Sequence, residues 1–140
     1  MSKRADNITQ LSNERELFSD FFTDLSKHPI TKELARVRND QSIKQSIKNL
    51  IFTNFGERLF QPGIGSNINR VLFEPNDNIL SEDLAYHIRK TIEFYEPRVN
   101  LLQIIPNINQ NTDSISVDIV FAIINSNQIQ SLNLILRRVR

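Results

Sequence analysis

The residues of this sequence that are best suited to acid–base chemistry are three glutamates, Glu57, Glu74 and Glu96. Two carboxyl groups held roughly 5 to 9.5 Å apart can hydrolyse a glycosidic bond, provided that burial keeps one of them protonated near neutral pH. Glu96 stands two residues before Arg98, and a guanidinium that contacts a carboxylate favours its ionised form. This neighbour therefore opposes a role for Glu96 as a general acid.

Other kinds of catalytic site have weaker support in the sequence. His28 and His87 are far apart, neither belongs to a cluster with metal-ligand spacing, and the chain has no cysteine. No glycine-rich phosphate loop follows a predicted strand, and no serine lies in a nucleophile elbow. We therefore assign no catalytic residue, no metal ligand and no cofactor, and we expect a protein that is not an enzyme.

The size and charge of the chain limit its organisation and its partners. Its 140 residues suffice for one globular core, so we expect an N-terminal arm over residues 1–30 and a single domain over residues 31–140. The formal net charge of +1 disfavours nucleic acid as the main partner. Apolar stretches such as Ile119 to Ile124 are far too short to span a bilayer, so we expect no membrane partner, and no export signal is visible.

The first half of the chain predicts a strand, a helix and a loop. Residues 17–25 fit either a helix or a short extended segment with a turn, whereas residues 34–38 alternate as a half-exposed strand does. Asp40 is a good N-cap for an amphipathic helix that we expect Gly56 to close. The buried stripe of this helix is predicted to be Ile43, Ile47, Leu50 and Ile51.

The glycine-rich segment 57–67 should form a loop, and Ser66 is predicted to cap a short helix that ends at Pro75. A further helix is predicted to start at Ser81, with two acidic residues in its first turn, and to stop at Pro97. The residues expected on its buried face are Leu84, Ile88, Ile92 and Tyr95.

After Pro97 the hydrophobic period changes to that of strands. Three strands are predicted over residues 99–109, 114–124 and 128–138, and the middle one is expected to be central. Its later half is apolar on both faces, which favours cover on both sides. Pro106 cannot donate to a ladder and makes the first of these strands an edge or bulged strand. The predicted fold class is therefore α+β, with helices followed by a C-terminal three-stranded antiparallel sheet that the N-terminal strand could join.

Three segments carry a resemblance to a known family, in one order along the chain. They are Gly56-Glu57-Arg58-Leu59-Phe60-Gln61-Pro62-Gly63-Ile64-Gly65, then Leu72-Phe73-Glu74-Pro75, and finally Phe94-Tyr95-Glu96-Pro97-Arg98-Val99. Together they resemble the baseplate wedge and sheath-initiator family of contractile phage tails, which also occurs in type VI secretion baseplates. The resemblance covers roughly residues 40 to 138 and leaves residues 1–30 unmatched.

The resemblance implies a structural subunit of the virion tail baseplate, assembled in the host cytoplasm, whose partners are other wedge proteins and the tail sheath protein. In this family the Glu-Pro-Arg corner belongs to a contact surface for neighbouring wedge proteins, which implicates Glu96, Pro97 and Arg98. Arg58 in the glycine-rich loop is a candidate partner for Glu96, an interpretation that requires the two charged groups to lie within about 6 Å. No small-molecule substrate is expected.

The last predicted strand suggests how such a subunit would initiate the sheath. In the family that the chain resembles, the sheet is similar to the interlocking domain of the sheath protein and receives extended sheath arms. An open strand edge invites such addition. The partner-binding residues assigned here are Leu132, Leu134, Leu136, Arg137 and Arg138. Because the family has carried a lysozyme-like label, a peptidoglycan-degrading enzyme of the tail is the alternative function.

Overall fold

The computed structural model describes residues 18–30, 32–73, 78–108, 114–124 and 128–137, with the backbone alone for residues 36–38 and for Asn78. In these parts of the chain, two short strands precede three helices and three longer strands, which confirms the predicted α+β class. The elements are β1 (Ser19–Phe21), β2 (Arg36–Arg38), α1 (Asn39–Phe52), α2 (Ile68–Leu72), α3 (Asn78–Tyr95), β3 (Val99–Ile108), β4 (Ser114–Ile123) and β5 (Ile129–Arg137).

The two N-terminal strands pair with each other in a separate antiparallel sheet, with Ser19 opposite Arg38. Residues 17–25 therefore take the extended alternative from Phe18 onward, and the predicted strand at 34–38 is confirmed. Asn39 ties this hairpin to α1, because its N–H donates to the carbonyl of Phe18 over 2.7 Å. Its φ of 48° is a left-handed value that asparagine tolerates. The hairpin packs beside α1 and does not extend the C-terminal sheet.

The amphipathic helix α1 is confirmed, although its ends differ from the prediction. Its predicted stripe is buried, and each such side chain stabilises the fold by roughly 1.5–3 kcal/mol. It starts at Asn39, one residue before the predicted cap. It ends at Phe52, so the expectation that Gly56 closes it is wrong. Gly56 instead forms a turn of the following loop, where its φ of 87° suits glycine and its N–H donates to the carbonyl of Pro62.

The predicted glycine-rich loop returns to the end of α1. The N–H of Ser66 donates to the carbonyl of Thr53 over 2.8 Å, and its hydroxyl donates to the carbonyl of Ile51 over 2.6 Å. Ser66 is therefore buried against α1, and the prediction that it caps α2 is wrong, since Asn67 holds the N-cap position. α2 ends at Leu72, whereas the predicted stop at Pro75 lies outside the described residues.

The long helix α3 begins earlier than predicted. It starts at Asn78, three residues before Ser81, so the acidic pair Glu82 and Asp83 lies beyond its first turn. The signals at Ser81 correctly predicted a helix but placed its first residue too late, because Asn78 and Ile79 are already helical. The predicted stop before Pro97 is confirmed, since the last helical residue is Tyr95.

The inner stripe of α3 covers the sheet and the other helices. Leu84, Ile88 and Ile92 are fully buried, as predicted. Tyr95 is only half-buried, and the prediction that it belongs to the buried face is wrong. Its hydroxyl donates to the carbonyl of Gly63, so Tyr95 holds the glycine-rich loop against the end of α3.

The C-terminal sheet has the strand order β3-β4-β5 and is antiparallel throughout, which confirms the predicted central strand. β3 is an edge strand with a bulge between Leu101 and Gln103, as the proline in this strand led us to expect. Alternate residues of β4, from Ile115 to Ile123, point into the core. The opposite face is not covered in the described structure, because Val120 and Ala122 are half-exposed, so the expectation of cover on both sides is wrong.

No helix within the described ranges is long and apolar enough to cross a membrane. The described helices lie on one face of the sheet, where α3 packs closely against β3 and also contacts α1 and α2. This packing brings the end of α3, the middle of α1 and the start of β3 together.

Gly65 is predicted to be the glycine of the loop that tolerates substitution least. A Cβ at this position would lie 2.8 Å from the carbonyl oxygen of Thr53 and from the carbonyl carbon of Asn54. Since both are backbone atoms, Gly65→Ala should lower the free energy of unfolding by about 2 kcal/mol. Urea denaturation followed by circular dichroism measures the change.

Gly63→Ala is the matched control, because a Cβ at Gly63 has nothing within 4 Å. We expect its effect to stay within about 0.5 kcal/mol of the parent chain. Equal losses of stability in the two variants would contradict the close approach between the loop and α1.

Candidate functional site

The corner formed by Glu96, Pro97 and Arg98 joins α3 to β3 through backbone hydrogen bonds. The N–H of Glu96 donates to the carbonyl of Ile92 over 2.8 Å, which completes the last turn of the helix. The carbonyl of Arg98 accepts the N–H of Ile124 over 3.1 Å, so the corner is also fixed to the end of β4. The residues that end the helix are therefore hydrogen-bonded directly to the sheet.

The side chain of Glu96 is buried, with 2% of its surface exposed. Its Oε2 accepts a hydrogen bond from the hydroxyl of Ser46 on α1 over 2.6 Å. Arg98 holds the same carboxylate with two parallel bonds, from Nε to Oε1 over 2.5 Å and from Nη2 to Oε2 over 2.7 Å. This fork geometry is the strongest arrangement that an arginine and a carboxylate form. The acid at this corner is therefore held inside the fold and is not solvated.

The surroundings of Glu96 keep its carboxyl group ionised. Burial opposes ionisation and by itself would raise the pKa, but the hydrogen bonds from Arg98 and Ser46 and the charge of Arg98 outweigh it. The pKa of Glu96 therefore lies below its ordinary value of 4.5. A group in this state accepts hydrogen bonds and does not donate a proton near neutral pH.

Arg98 is held from several sides and still reaches the surface, since 32% of its side chain is exposed. Its hydrogen bonds with Glu96 raise the pKa of its guanidinium, and the charge of Asp20 on β1 acts in the same direction. The ring of Phe18 lies 5.4 Å from Cζ, within the range of a cation–π contact. The corner therefore joins α3, the C-terminal sheet, α1 and the N-terminal hairpin.

Arg58 is not part of this cluster. It lies exposed in the glycine-rich loop, and in the described part of the chain the ion-pair partner of Glu96 is Arg98. No ion pair between Arg58 and Glu96 occurs in the described structure, because Arg98, two residues away, supplies the bidentate contact. Glu57, beside Arg58, accepts hydrogen bonds from the backbone and side chain of Asn54.

The three leucines of β5 lie on its inner side. Leu134 and Leu136 are buried in the core, and Leu132 packs partly buried against it. Arg137 ends the strand and is exposed, whereas Arg138 lies outside the described residues. The leucine side chains anchor β5 to the domain, and the residues between them on its other face are exposed in the described structure.

Among the described strands β5 pairs with β4 alone, and backbone geometry shows which of its residues face the other, free edge. Gln128 directs its carbonyl toward β4, where it accepts the N–H of Ile123. The register between β4 and β5 is unbroken from Ala122↔Ile129 to Ser114↔Arg137, so even-numbered residues of β5 bond to β4. The residues that turn their N–H and carbonyl groups to the free edge are Ile129, Ser131, Asn133, Ile135 and Arg137.

Residues 37–128 match the family model described as baseplate wedge protein gp25, which is more than half of the chain. The chain belongs to this family. The baseplate wedge protein gp25 of Enterobacteria phage T4 is 30% identical over 127 residues, which cover 89% of this chain and 94% of that protein. The resemblance to baseplate wedge proteins is confirmed, and the chain is a baseplate wedge subunit of a contractile tail.

Solved structures share the fold of this wedge subunit. A putative tail lysozyme from Geobacter sulfurreducens superposes with a TM-score of 0.68 at 20% identity, covering 72% of this chain and 92% of its own. A chain of the anti-feeding prophage baseplate superposes with a TM-score of 0.61 at 16% identity, covering 88% and 87%. At these identities the comparison shows a shared fold and nothing further.

Neither of the two candidate glutamates that the structure describes has the raised pKa that a general acid of glycoside hydrolysis needs. The pKa of Glu57 is lowered by its hydrogen bonds with Asn54, and that of Glu96 is lowered as well, so neither is adjusted to act as an acid near neutral pH. Glu74 lies outside the described residues. No group of three or more potential metal ligands occurs in the described ranges.

Two residues of the corner, Ser46 and Phe18, were not predicted from the sequence. Ser46 contacts Glu96 across fifty positions of sequence, a separation that no local pattern spans. One signal was present: Ser46 is three residues after Ile43 and four before Leu50, so it interrupts the apolar face of α1. This interruption marks Ser46 as unusual but does not identify Glu96 as its partner.

Arg98→Ala is predicted to destabilise the fold, because it leaves the buried carboxylate of Glu96 without its charged partner. The expected loss is about 3 kcal/mol of unfolding free energy, at the lower end for a broken buried pair because water reaches part of Arg98. Arg89→Ala is the control, since the Arg89–Glu93 pair lies on the surface of α3, is exposed and is 4.0 Å long. Its expected effect is below about 1 kcal/mol, and similar losses in the two variants would refute the burial of Glu96.

The stability of the wedge subunit should fall in acid in a way that depends on Glu96. Because the pKa of this group is lower in the folded chain, its contribution is fully present above 4.5 and is lost as pH falls through the folded pKa. We expect the difference in unfolding free energy between the parent chain and Glu96→Gln to shrink as the pH is lowered from about 5 to about 3, a range that starts above the ordinary value of 4.5. A difference that stays constant or grows over this range would contradict the assignment.

Proposed function

We propose that this wedge subunit initiates sheath polymerisation by offering the free edge of β5 to an extended arm of the tail sheath protein. The observation that supports this proposal is the row of outward backbone groups from Ile129 to Arg137, on a strand whose register with β4 is unbroken. The other edge of the sheet is less suitable, because β3 carries a bulge and Pro106.

Strand addition at β5 supplies affinity through main-chain hydrogen bonds and specificity through side chains on alternate positions. The leucines Leu132, Leu134 and Leu136 support the edge from the core, so an added strand meets a rigid template. Arg137 places positive charge at the end of the edge, where it can steer an acidic segment of the sheath protein, and Arg138 follows it in the sequence.

The Glu-Pro-Arg corner serves wedge assembly in this proposal through its exposed part. Pro97 is exposed and about a third of the Arg98 side chain is accessible, whereas Glu96 is committed to internal contacts. A neighbouring wedge protein would therefore contact Pro97 and the outer side of Arg98, with Glu96 fixing their position. Arg58, exposed in the loop, remains a separate candidate for such contacts.

We place the chain in the virion tail baseplate, assembled in the host cytoplasm, with wedge proteins and the sheath protein as its partners. A net charge of +1 and outward strand residues that are mainly aliphatic or amide-bearing favour protein partners over nucleic acid. Membranes and small-molecule substrates are not part of the proposed function. The lowered pKa values of Glu57 and Glu96 favour a structural role over a lysozyme-like enzyme.

Ser131→Pro tests the β5 edge, since it removes an N–H that faces outward and leaves the bonds to β4 intact. We expect a folded chain that enters baseplates but nucleates few sheathed tails, because one main-chain bond is lost and the proline ring blocks the approach of a strand. Negative-stain electron microscopy of tails assembled from co-expressed proteins counts sheathed and bare particles.

Ser131→Ala is the control and should assemble sheath at the parent level. Leu132→Pro, one residue on, removes a bond to β4 and should lower the thermal midpoint, which verifies the assignment of alternate residues. Ile135→Pro provides a second outward position in case Ser131→Pro disturbs the fold. Normal sheath assembly by folded Ser131→Pro and Ile135→Pro chains would refute strand addition at this edge.

A further inference from the structure

The outer face of α3 carries a row of exposed side chains that the contacts described above do not use. Tyr86, Lys90 and Phe94 follow each other at intervals of four residues and therefore lie on one stripe of the helix. Phe94, at the C-terminal end of this stripe, is 77% exposed. An exposed aromatic stripe of this kind marks a surface that contacts another molecule.

Two depressions flank this stripe. The first, about 290 Å³, lies between α3 and the glycine-rich loop, and the second, about 340 Å³, lies on the other side of the stripe. Lys90 and Phe94 line both, so the two depressions form one surface with a ridge between them. The other residues that line the first depression are Phe55, Asn67, His87, Thr91 and Tyr95.

The wall opposite α3 is held in place within the chain. Tyr95 bonds to the carbonyl of Gly63, and the loop returns to α1 at Ser66, so Phe55 is presented beside the helix by a fixed loop. Phe94 packs edge-on against Tyr95, with ring centroids 4.8 Å apart. A preformed apolar wall reduces the entropy that a partner loses on binding.

The charges of this surface favour an acidic partner. Glu93 is already opposite Arg89, at 4.0 Å. Lys90 lies 6.0 Å from the ring centroid of Tyr86, and no carboxylate of the described residues lies within ion-pair distance of it. One cation at the centre of an aromatic surface is thus available to a carboxylate from outside.

We propose that this surface, defined by Tyr86, Lys90, Phe94 and Phe55, binds an amphipathic α-helix of another baseplate protein through two apolar side chains and one acidic side chain. The inference rests on the proposed place of the chain in the baseplate. The stripe from Tyr86 to Phe94 is about 12 Å long, which matches two turns of a helix packed alongside α3. Apolar residues of the partner fill the two depressions, and its carboxylate pairs with Lys90.

Site-specific photo-crosslinking in assembled tails tests this proposal. Phe94→p-benzoyl-phenylalanine is introduced into the full chain, which is co-expressed with the other tail proteins encoded with it, and cross-linked peptides are identified by mass spectrometry. The expected product joins Phe94 to a segment with apolar residues at helical spacing and at least one acidic residue. The same replacement at Phe73, which is 69% exposed and lines neither depression, should give no such product.

A charge exchange then identifies the contact with Lys90. Lys90→Glu should lower the cross-link yield by about tenfold, and replacing the acidic residue of the captured segment by lysine should restore it. Cross-links to a basic segment, to residues 1–17 or to a second copy of this chain would overturn the proposal, as would their absence from assembled tails. The variants at Phe94 and Lys90 leave the β5 edge unchanged. Counting sheathed tails in the same preparations therefore tests sheath initiation separately from binding at the α3 surface.

Discussion

The fold of this wedge subunit depends on a buried negative charge at the point where its helices meet its sheet. Removing the Glu96 carboxylate from water costs several kcal/mol, and the cost is offset only because Arg98 and Ser46 bond to both of its oxygens. Those two partners come from different elements. The junction can therefore form in one arrangement, in which α1, α3 and the start of β3 approach each other at a single register.

This dependence changes the meaning of the Glu-Pro-Arg corner. If Glu96 and Arg98 were both solvated, the corner would be a flexible contact point. In the observed structure Glu96 faces inward and its hydrogen bonds hold the corner rigid. Arg98 also contacts Phe18 beside the N-terminal hairpin. The exposed part of the corner therefore keeps a defined orientation relative to the sheet edge. Contacts with wedge proteins and with the sheath would then be set by one internal cluster.

Local patterns predicted the elements of this chain better than their ends or their contacts. The stripe of α1, the stop before Pro97 and the central place of β4 follow from spacing and from backbone sterics, which act over a few residues. The burial of Glu96 depends on a contact with Ser46 across fifty residues, so local spacing could single out Ser46 but could not pair it with Glu96. Serine was predicted as a cap at Ser66, yet tertiary packing turned its hydroxyl to Ile51.

The unbroken pairing of β4 with β5 has a mechanical consequence for a machine that contracts. A partner strand added to β5 would pull along the strand axis, and the hydrogen bonds between β4 and β5 would then bear the load side by side in shear. Bonds loaded in this way share the force and must break together, whereas bonds loaded at one end of a ladder open one after another. The two buried leucines of β5 add resistance to sliding, because a slip by one residue would expose them to water.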